Sequence, residues 1–159
     1  DMISLLKKFK GKKIIITGHT GFKGSWLTLW LTHSSAYVAG IYDRIHTNPS
    51  NFIVNELENR VHHLTFDIKN KKKLPLTINR VKPDYIFHLA AQSLVKKSYK
   101  NPDETFETNS IGTLNLLEAL KKFNSNKLLK WRSKVLIEKG LRKTIKYFKK
   151  TRHKNLDFI

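Results

Sequence analysis

Three glycines, Gly18, Gly21 and Gly24, are spaced three residues apart directly after the β-branched run 14–16. Glycine at the first position can adopt the positive φ that reverses the chain. Gly21 has no Cβ, so the backbone can approach an anion there, and Gly24 lets the following helix pack closely on the strand. The start of that helix would present unpaired N–H groups and the positive end of its dipole. This order predicts a diphosphate-binding turn, although a plain tight turn has the same spacing.

An acidic residue ends the next apolar run. Residues 37–42 predict a second strand, and Asp43 follows it directly. A carboxylate at this distance from the glycines can accept hydrogen bonds from both hydroxyls of an adenine ribose. Two alternatives stay open: Asp43 caps the end of the strand, or Arg44 behind it binds a 2′-phosphate. The position predicts ribose recognition without deciding between NAD and NADP.

Two adjacent histidines, His62 and His63, resemble a zinc pair only superficially. They lie in residues 61–66, whose weak alternation predicts a third strand. Neighbouring strand residues point to opposite faces, so the two rings cannot easily share one metal ion. The sequence has no cysteine, which excludes disulfides, thiolate chemistry and zinc–sulfur sites. We predict no metal site and a structural role for both histidines.

Strands and helices alternate along residues 12–123. Strands are predicted at 12–17, 37–42, 61–66 and 85–91, and helices at 22–32, 52–57, 74–80 and 102–123. The alternation predicts an α/β fold, an incomplete doubly wound parallel sheet of about four strands with helices on both faces. Ligands of such a sheet bind at the carboxyl ends of its strands.

Apolar patterns predict which sides of these elements are buried. The fourth strand is a nearly continuous apolar run, which predicts burial on both faces. Helix 22–32 is apolar around most of its circumference, which predicts burial against the sheet. In the last helix we expect one inner side made of Ile111, Leu114, Leu117, Leu120 and Phe123. Asn101 and Pro102 predict its N-cap and first helical position.

Length and composition fit one globular domain with a basic extension. The chain has 159 residues, of which 40% are hydrophobic, and its net charge is +19. No run approaches the roughly 20 apolar residues that cross a bilayer, and no signal peptide is evident. Together with the absence of cysteine, this favours the cytoplasm.

The positive charge is concentrated near the end of the chain. Residues 121–154 hold fourteen Lys or Arg and one acid, Glu138. We predict a first domain at 1–124 and a basic helical tail at 125–159. The tail is either a solvated amphipathic face or a surface for nucleic acid. No aromatic-interleaved RNA motif accompanies the charge, so the solvated face is favoured.

Three segments carry a family resemblance. They are Thr-Gly-His-Thr-Gly-Phe-Lys-Gly-Ser-Trp-Leu at 17–27, His-Leu-Ala-Ala-Gln-Ser-Leu-Val-Lys-Lys-Ser-Tyr-Lys-Asn-Pro at 88–102 and Thr-Phe-Glu-Thr-Asn-Ser-Ile-Gly-Thr at 105–113. Together they resemble the extended short-chain dehydrogenases/reductases, and within them the CDP-glucose 4,6-dehydratases. The resemblance covers residues 9–123, and residues 128–150 more weakly resemble the last helix of that family. It implies a Rossmann-like domain, NAD as cofactor, a nucleotide-sugar substrate and a role in making lipopolysaccharide sugars.

The resemblance also implies which residues bind the cofactor. The glycine turn would hold the pyrophosphate, Asp43 the adenine ribose, and Asp67 and Ile68 would flank the adenine. Residues after the fourth strand would line the cofactor, and Asn109 would approach it from the last helix. The full implied set is Gly18, Thr20, Gly21, Phe22, Lys23, Gly24, Asp43, Asp67, Ile68, Leu89, Ala90, Ala91, Gln92 and Asn109. One departure from the family is Ser35, which stands where a glycine would end the first helix.

The family's proton-transfer residues are missing from this sequence. The resemblance implies a Tyr-x-x-x-Lys motif, whose tyrosine acts as base while a hydride passes from the sugar 4-hydroxyl to NAD. None of the five tyrosines has a lysine four residues later, and the family's Thr-Asp-Lys segment is also missing. We therefore assign no catalytic residue and expect an internally truncated chain.

Three interpretations follow from that absence. We favour a shortened relative that binds NAD and is inactive alone. The alternatives are a non-enzymatic nucleotide- or nucleic-acid-binding module that uses the tail, and an enzyme completed by another chain. In the strand order 3-2-1-4-5, the loss of strand five would leave strand four at the edge, and an apolar edge predicts self-association.

Overall fold

The computed structural model describes residues 7–45 and 47–123. Its sheet contains β1 (Lys13–Thr17), β2 (Tyr37–Tyr42), β3 (His62–Thr65) and β4 (Tyr85–His88). The order is β3-β2-β1-β4, and every pair is parallel. The register sets Ile15 beside Ala39 on one side and Ile86 on the other. The predicted fold class is confirmed, and so is the order of the four strands.

The helices lie between and after the strands. They are α1 (Phe22–His33), α2 (Asn51–Val54), α3 (Lys73–Val81), α4 (Val95–Lys100), α5 (Pro102–Phe106) and α6 (Gly112–Lys122). A 3₁₀ turn covers Leu57–Arg60, and a π-helical segment, Glu107–Ile111, joins α5 to α6. The sequence did not predict α4 or the π-helical segment. Pro102 is the first helical residue as predicted, whereas the Asn101 side chain makes no capping hydrogen bond. No described helix is long and apolar enough to cross a membrane.

The centre of the core is β1, whose residues Ile14, Ile15 and Ile16 are all 0% exposed. Alternate side chains of a strand point to opposite faces, so these isoleucines contribute to two layers. Ile15 packs with the layer under α3 and α6. Ile14 and Ile16 pack with Leu31 of α1 on the other face. Helices therefore cover both faces of the sheet, as a doubly wound fold requires.

The prediction that the apolar residues of α1 face the sheet is confirmed for Leu31 and wrong for its aromatic residues. Its buried residues are Gly24, Ser25, Thr28 and Leu31, whereas its aromatic residues are exposed, Phe22 by 74%. Small side chains let the helix axis approach the sheet, and Trp26 or Trp30 would not fit between them. The Thr28 hydroxyl stays satisfied by donating to the Gly24 carbonyl at 2.7 Å.

The buried side of α6 also differs from the prediction. It consists of Gly112, Asn115, Leu116, Ala119 and Leu120, whereas Ile111, Leu114 and Leu117 are exposed. Residues three apart rotate backwards by about 60° per step on a helix of 3.6 residues per turn, so a chain of i+3 steps leaves one face. The observed spacing alternates between three, one and three residues, which keeps to a single face.

Strand β4 is less buried than predicted. Tyr85 is 38% exposed, and Ile86, Phe87 and His88 are half-buried. Within the described ranges β4 pairs with β1 and has no partner on its other side. The prediction of burial on both faces is wrong, and the prediction of an edge position for β4 is confirmed for this part of the chain.

Candidate functional site

The glycine turn lies where β1 ends. Gly18 has φ +71°, and its N–H donates to the Ile41 carbonyl at 2.8 Å. A Cβ added at Gly18 would lie 2.7 Å from the Ala90 nitrogen, which is closer than real Cβ atoms come. Both the positive φ and the close neighbour therefore require glycine here. The turn also touches the segment that follows β4.

Gly24 lets α1 lie directly against this turn. A Cβ at Gly24 would overlap the Gly18 carbonyl oxygen and crowd the His19 Cα. Gly21 occupies the N-cap position and has no side chain to cap the helix, and the first turn contains no acidic residue. The first N–H groups of α1 and its positive dipole end therefore lack a competing carboxylate from this turn. The exposed Lys23 adds positive charge beside them.

Thr20 and Asp43 connect the turn to the end of β2. The Thr20 hydroxyl donates to the Arg44 carbonyl at 3.4 Å. The Arg44 Nε donates to the Asp43 carboxylate at 3.0 Å, and this bond raises the pKa of Arg44. The carboxylate and the guanidinium thus form one ion pair beside the glycine turn. This places Asp43 at the strand end that the sequence indicated.

Residues after β3 have two different environments. Asp67 accepts the Lys69 N–H at 2.8 Å and lies near the surface. Ile68 is 4% exposed and lies under α6, where a Cβ on Gly112 would meet its Cδ1 at 2.6 Å. The Ile68 side chain therefore belongs to the core.

The segment after β4 reaches the site from the other side of β1. The N–H groups of Leu89 and Ala90 point to the Thr17 hydroxyl oxygen at 3.1 and 3.2 Å. Ala91 is exposed, and the Gln92 main chain is held by the Asn109 side amide. Asn109 lies in the π-helical segment. The Asn109 side chain therefore holds the Gln92 main chain by hydrogen bonds.

A histidine pair joins the glycine turn to β3, and neither its contact nor the burial of His19 was predicted from the sequence. His19 is fully buried, and its Nε2 lies 3.1 Å from His63 Nδ1. His63 Nε2 donates to the Glu58 carbonyl at 2.9 Å. Burial lowers the pKa of His19 to about 4, with a smaller contribution from His63. When both rings are neutral, His19 Nε2–H donates to the bare His63 Nδ1.

The glycine at position 40, inside β2, is the feature of the sequence that could have indicated this histidine pair. A Cβ on Gly40 would overlap the His19 ring, so only glycine at this position of β2 admits it. An isolated strand glycine often marks such a close approach. His62, by contrast, is exposed and stacks near Tyr37, so the two adjacent histidines point to opposite faces as predicted.

The described residues bring the predicted site residues to one edge of the sheet. The glycine turn, Asp43, Asp67 and the segment after β4 all follow the carboxyl ends of their strands. The residues fit a dinucleotide in two respects: glycine removes the Cβ atoms that would fill the turn, and α1 begins there without a cap.

Comparisons with known proteins agree on a family. The model of the family described as GDP-mannose 4,6 dehydratase matches residues 15–137. CDP-glucose 4,6-dehydratase of Salmonella typhimurium is 44% identical over 119 residues, which cover 75% of this chain and 33% of the relative. The chain spans about a third of the length of the curated relatives it matches.

Solved structures agree with this match. An epimerase from Methanothermobacter thermautotrophicus has a TM-score of 0.64 at 26% identity, covering 76% of this chain and 35% of the epimerase. The NAD complex of UDP-glucose 4-epimerase from Thermus thermophilus has a TM-score of 0.60 at 29% identity, covering 70% of this chain and 34% of the epimerase. By the extent of the family match, this chain belongs to the GDP-mannose 4,6 dehydratase family.

Proposed function

We propose that this chain binds NAD at the carboxyl edge of its sheet. The observation that carries the proposal is the contact between Gly24 and the Gly18 carbonyl, which aligns the uncapped start of α1 with the turn. A pyrophosphate there would accept hydrogen bonds from the first N–H groups of the helix. NAD bound to the related Thermus thermophilus epimerase supports the same class of ligand.

We assign the site residues to parts of the cofactor. The turn residues Gly18, Thr20, Gly21, Phe22, Lys23 and Gly24 would hold the pyrophosphate. Asp43 would bind the adenine ribose, and the main chain at Asp67 and Ile68 would flank the adenine. Leu89, Ala90, Ala91 and Gln92 would line the rest, with Asn109 behind them.

We favour NAD over NADP because of the Asp43–Arg44 pair. The Asp43 carboxylate would repel a 2′-phosphate, and the Arg44 guanidinium already donates to that carboxylate. A ribose with two free hydroxyls would instead find an acceptor. Binding of NADP as tight as that of NAD would contradict this assignment.

We propose a sugar nucleotide of the CDP-glucose type as the second ligand, on the basis of the Salmonella typhimurium relative. Bound NAD would supply a hydride acceptor. The 159 residues contain no Tyr-x-x-x-Lys motif, so this chain has no matching base for the sugar hydroxyl. We therefore propose that it does not turn over substrate alone. Its location in the cytoplasm and its part in lipopolysaccharide sugar synthesis stay predictions.

The experiment is calorimetry of the full chain with NAD and with NADP, beside a dehydratase assay on CDP-glucose. We expect saturable NAD binding, weaker NADP binding and no 4-keto-6-deoxy product. Gly18→Ala and Gly11→Ala form a matched pair, because both glycines have positive φ but only Gly18 has neighbours that a Cβ would meet. Loss of binding in both variants would point to unfolding, and loss in neither would overturn the site.

We also propose that the β4 edge causes self-association. Tyr85 is exposed, and within the described ranges the outer side of β4 has no partner strand, so its backbone groups can pair with a second chain. A chain that sediments as a monomer and unfolds in a sharp, reversible transition would contradict this. The alternative of nucleic-acid binding rests on residues 125–159, which lie outside the described residues, and no comparison supports it.

A further inference from the structure

We infer that His88 is a positioning residue, which fixes the segment Leu89–Gln92 through a one-directional chain of hydrogen bonds from Thr17 to Asn109. The chain passes from the end of β1, through the His88 ring of β4, to the π-helical segment. The inference about the segment rests on the described contacts alone. Its consequence for NAD rests on the proposed function.

The direction of the chain is set at its far end. The Asn109 carbonyl oxygen lies 2.7 Å from the Thr113 hydroxyl, and a carbonyl can only accept. The Thr113 hydroxyl therefore donates its one proton to Asn109. Its oxygen then accepts from His88 Nε2, which lies 2.9 Å away and must carry a hydrogen.

The other ring nitrogen completes the chain at β1. Burial lowers the pKa of His88, so the ring is neutral and its Nδ1 is bare. The Thr17 hydroxyl lies 2.6 Å from Nδ1 and donates to it. The Thr17 oxygen accepts from the Ala90 N–H and shares the Leu89 N–H with its own carbonyl. Only the Nε2–H tautomer leaves every one of these donors with an acceptor.

The Asn109 end of the chain holds the segment after β4 at a second point. Its Oδ1 accepts the Gln92 N–H at 2.7 Å, and its Nδ2 donates to the Gln92 carbonyl at 3.0 Å. The Gln92 side amide in turn donates to the Thr105 hydroxyl at 3.2 Å. Thr17 thus fixes the start of the segment and Asn109 fixes its end, with His88 and Thr113 joining the two.

His88 would therefore help to place the cofactor without touching the substrate or the reacting atoms. The Ala90 nitrogen lies against Gly18, so a shift of the segment would change the shape of the glycine turn. The neutral His88 ring opposes such a shift because each of its two nitrogens makes one hydrogen bond, to Thr17 and to Thr113. We therefore expect loss of a hydroxyl partner to loosen the segment and weaken NAD binding while the core stays folded.

The test uses the full chain labelled with ¹⁵N, in the wild type, Thr113→Val, Thr113→Ser and His88→Phe. Long-range proton–nitrogen NMR at neutral pH without ligand reports the His88 tautomer, and amide exchange reports the segment. We expect the Nε2–H tautomer in the wild type. In Thr113→Val we expect about tenfold faster exchange at Leu89, Ala90 and Gln92, which corresponds to one lost hydrogen bond. Thr113→Ser restores the wild-type rates.

The NAD titration separates this inference from the proposed function. We expect Thr113→Val to weaken NAD binding about tenfold and Thr113→Ser to leave it unchanged. If the wild type shows the Nε2–H tautomer and the exchange pattern but binds no NAD, His88 positions the segment and the proposed function is wrong. If amide exchange in Thr113→Val matches that of the wild type, or His88 carries its hydrogen on Nδ1, the inference is overturned. Equal NAD binding by the wild type and Thr113→Val would overturn its consequence for the cofactor. These results stand even if His88→Phe does not fold.

Discussion

Two loops face the proposed ligand, and they are held in different ways. The turn after β1 is fixed by its backbone, with the Gly18 N–H on the Ile41 carbonyl and Gly24 packed against Gly18. The segment after β4 is fixed mainly by side chains, with His88 at its start and Asn109 at its end. A backbone-packed turn tolerates no added atom, whereas a segment held by hydrogen bonds loosens by steps. The two loops should therefore fail differently when they are changed.

The sharpest difference should come from adding one methyl group to the turn. In Gly24→Ala the new Cβ would overlap the Gly18 carbonyl oxygen, and neither backbone segment can move without unpacking α1. We expect a loss of about 3 kcal/mol or more in the free energy of unfolding. Urea denaturation measures it. Gly11→Ala is the control, since a Cβ there meets nothing within 4 Å, and equal losses in the two variants would contradict the packing argument.

Low pH should destabilise the folded chain through His19, which lies in the glycine turn. The pKa of His19 is about 4 in the folded chain and about 6.5 when unfolded, so the unfolded chain binds more protons between these values. Stability is therefore complete above pH 6.5 and falls as the pH drops towards 4. The total loss from this group is about 3 kcal/mol, at 1.36 kcal/mol per pKa unit.

Unfolding measured between pH 7 and pH 4 tests this dependence. His19→Gln should flatten the curve over that range, and His62→Gln is the control variant at an exposed histidine outside the pair. A wild-type curve that is flat from pH 6.5 to pH 4 would show that His19 is not held neutral by its surroundings.

The segment after β4 should respond by smaller steps. Asn109→Ala removes two hydrogen bonds to the Gln92 main chain, for a loss of about 1–2 kcal/mol in stability and a larger loss in NAD binding. Asn109→Asp keeps the Oδ1 acceptor and loses the Nδ2 donor, so we expect an intermediate effect. Calorimetry with NAD and thermal unfolding measure both. Lower stability or weaker NAD binding in Asn109→Asp than in Asn109→Ala would contradict this expectation.

A substitution away from both loops should have the smallest effect on the free energy of unfolding. Ser35 lies two residues after the last residue of α1 and has φ +60°, a conformation that favours glycine. Ser35→Gly should raise the free energy of unfolding by up to about 1 kcal/mol. The urea midpoint should rise with an unchanged slope. Lys82→Gly, at φ +50° after α3, should shift the midpoint in the same direction, and a decrease in both variants would refute the assignment of backbone strain.

The sequence predicted the backbone-held loop better than the side-chain-held one. Glycine spacing after a β-branched run reports the turn directly, because only glycine fits both the φ of Gly18 and the space at Gly24. The family resemblance also indicated that a glycine would stand at Ser35, whose φ is +60°. The parallel sheet followed from the alternation of strands and helices. These features depend on local backbone geometry, which residue type encodes.

Contacts between distant residues were not predictable in the same way. His88 and Thr113 are 25 positions apart, and the π-helical segment that presents Asn109 has no pattern of its own. The buried side of α1 was misjudged because large apolar residues were assumed to face inward, and that of α6 because steps of three residues drift off one face. Burial at Gly24 and Thr28 depends instead on how closely the helix must approach the sheet. Residue size then decides the buried face rather than polarity.

We propose that both loops together bind NAD in a chain without a Tyr-x-x-x-Lys motif. The most direct measurement is a titration of the ¹⁵N-labelled full chain with NAD, followed by amide chemical shifts. We predict saturable shifts at residues 18–24 and 89–92, with smaller shifts around Asp43. Shifts confined to other residues, or no shifts at all at millimolar NAD, would show that NAD does not bind at these two loops.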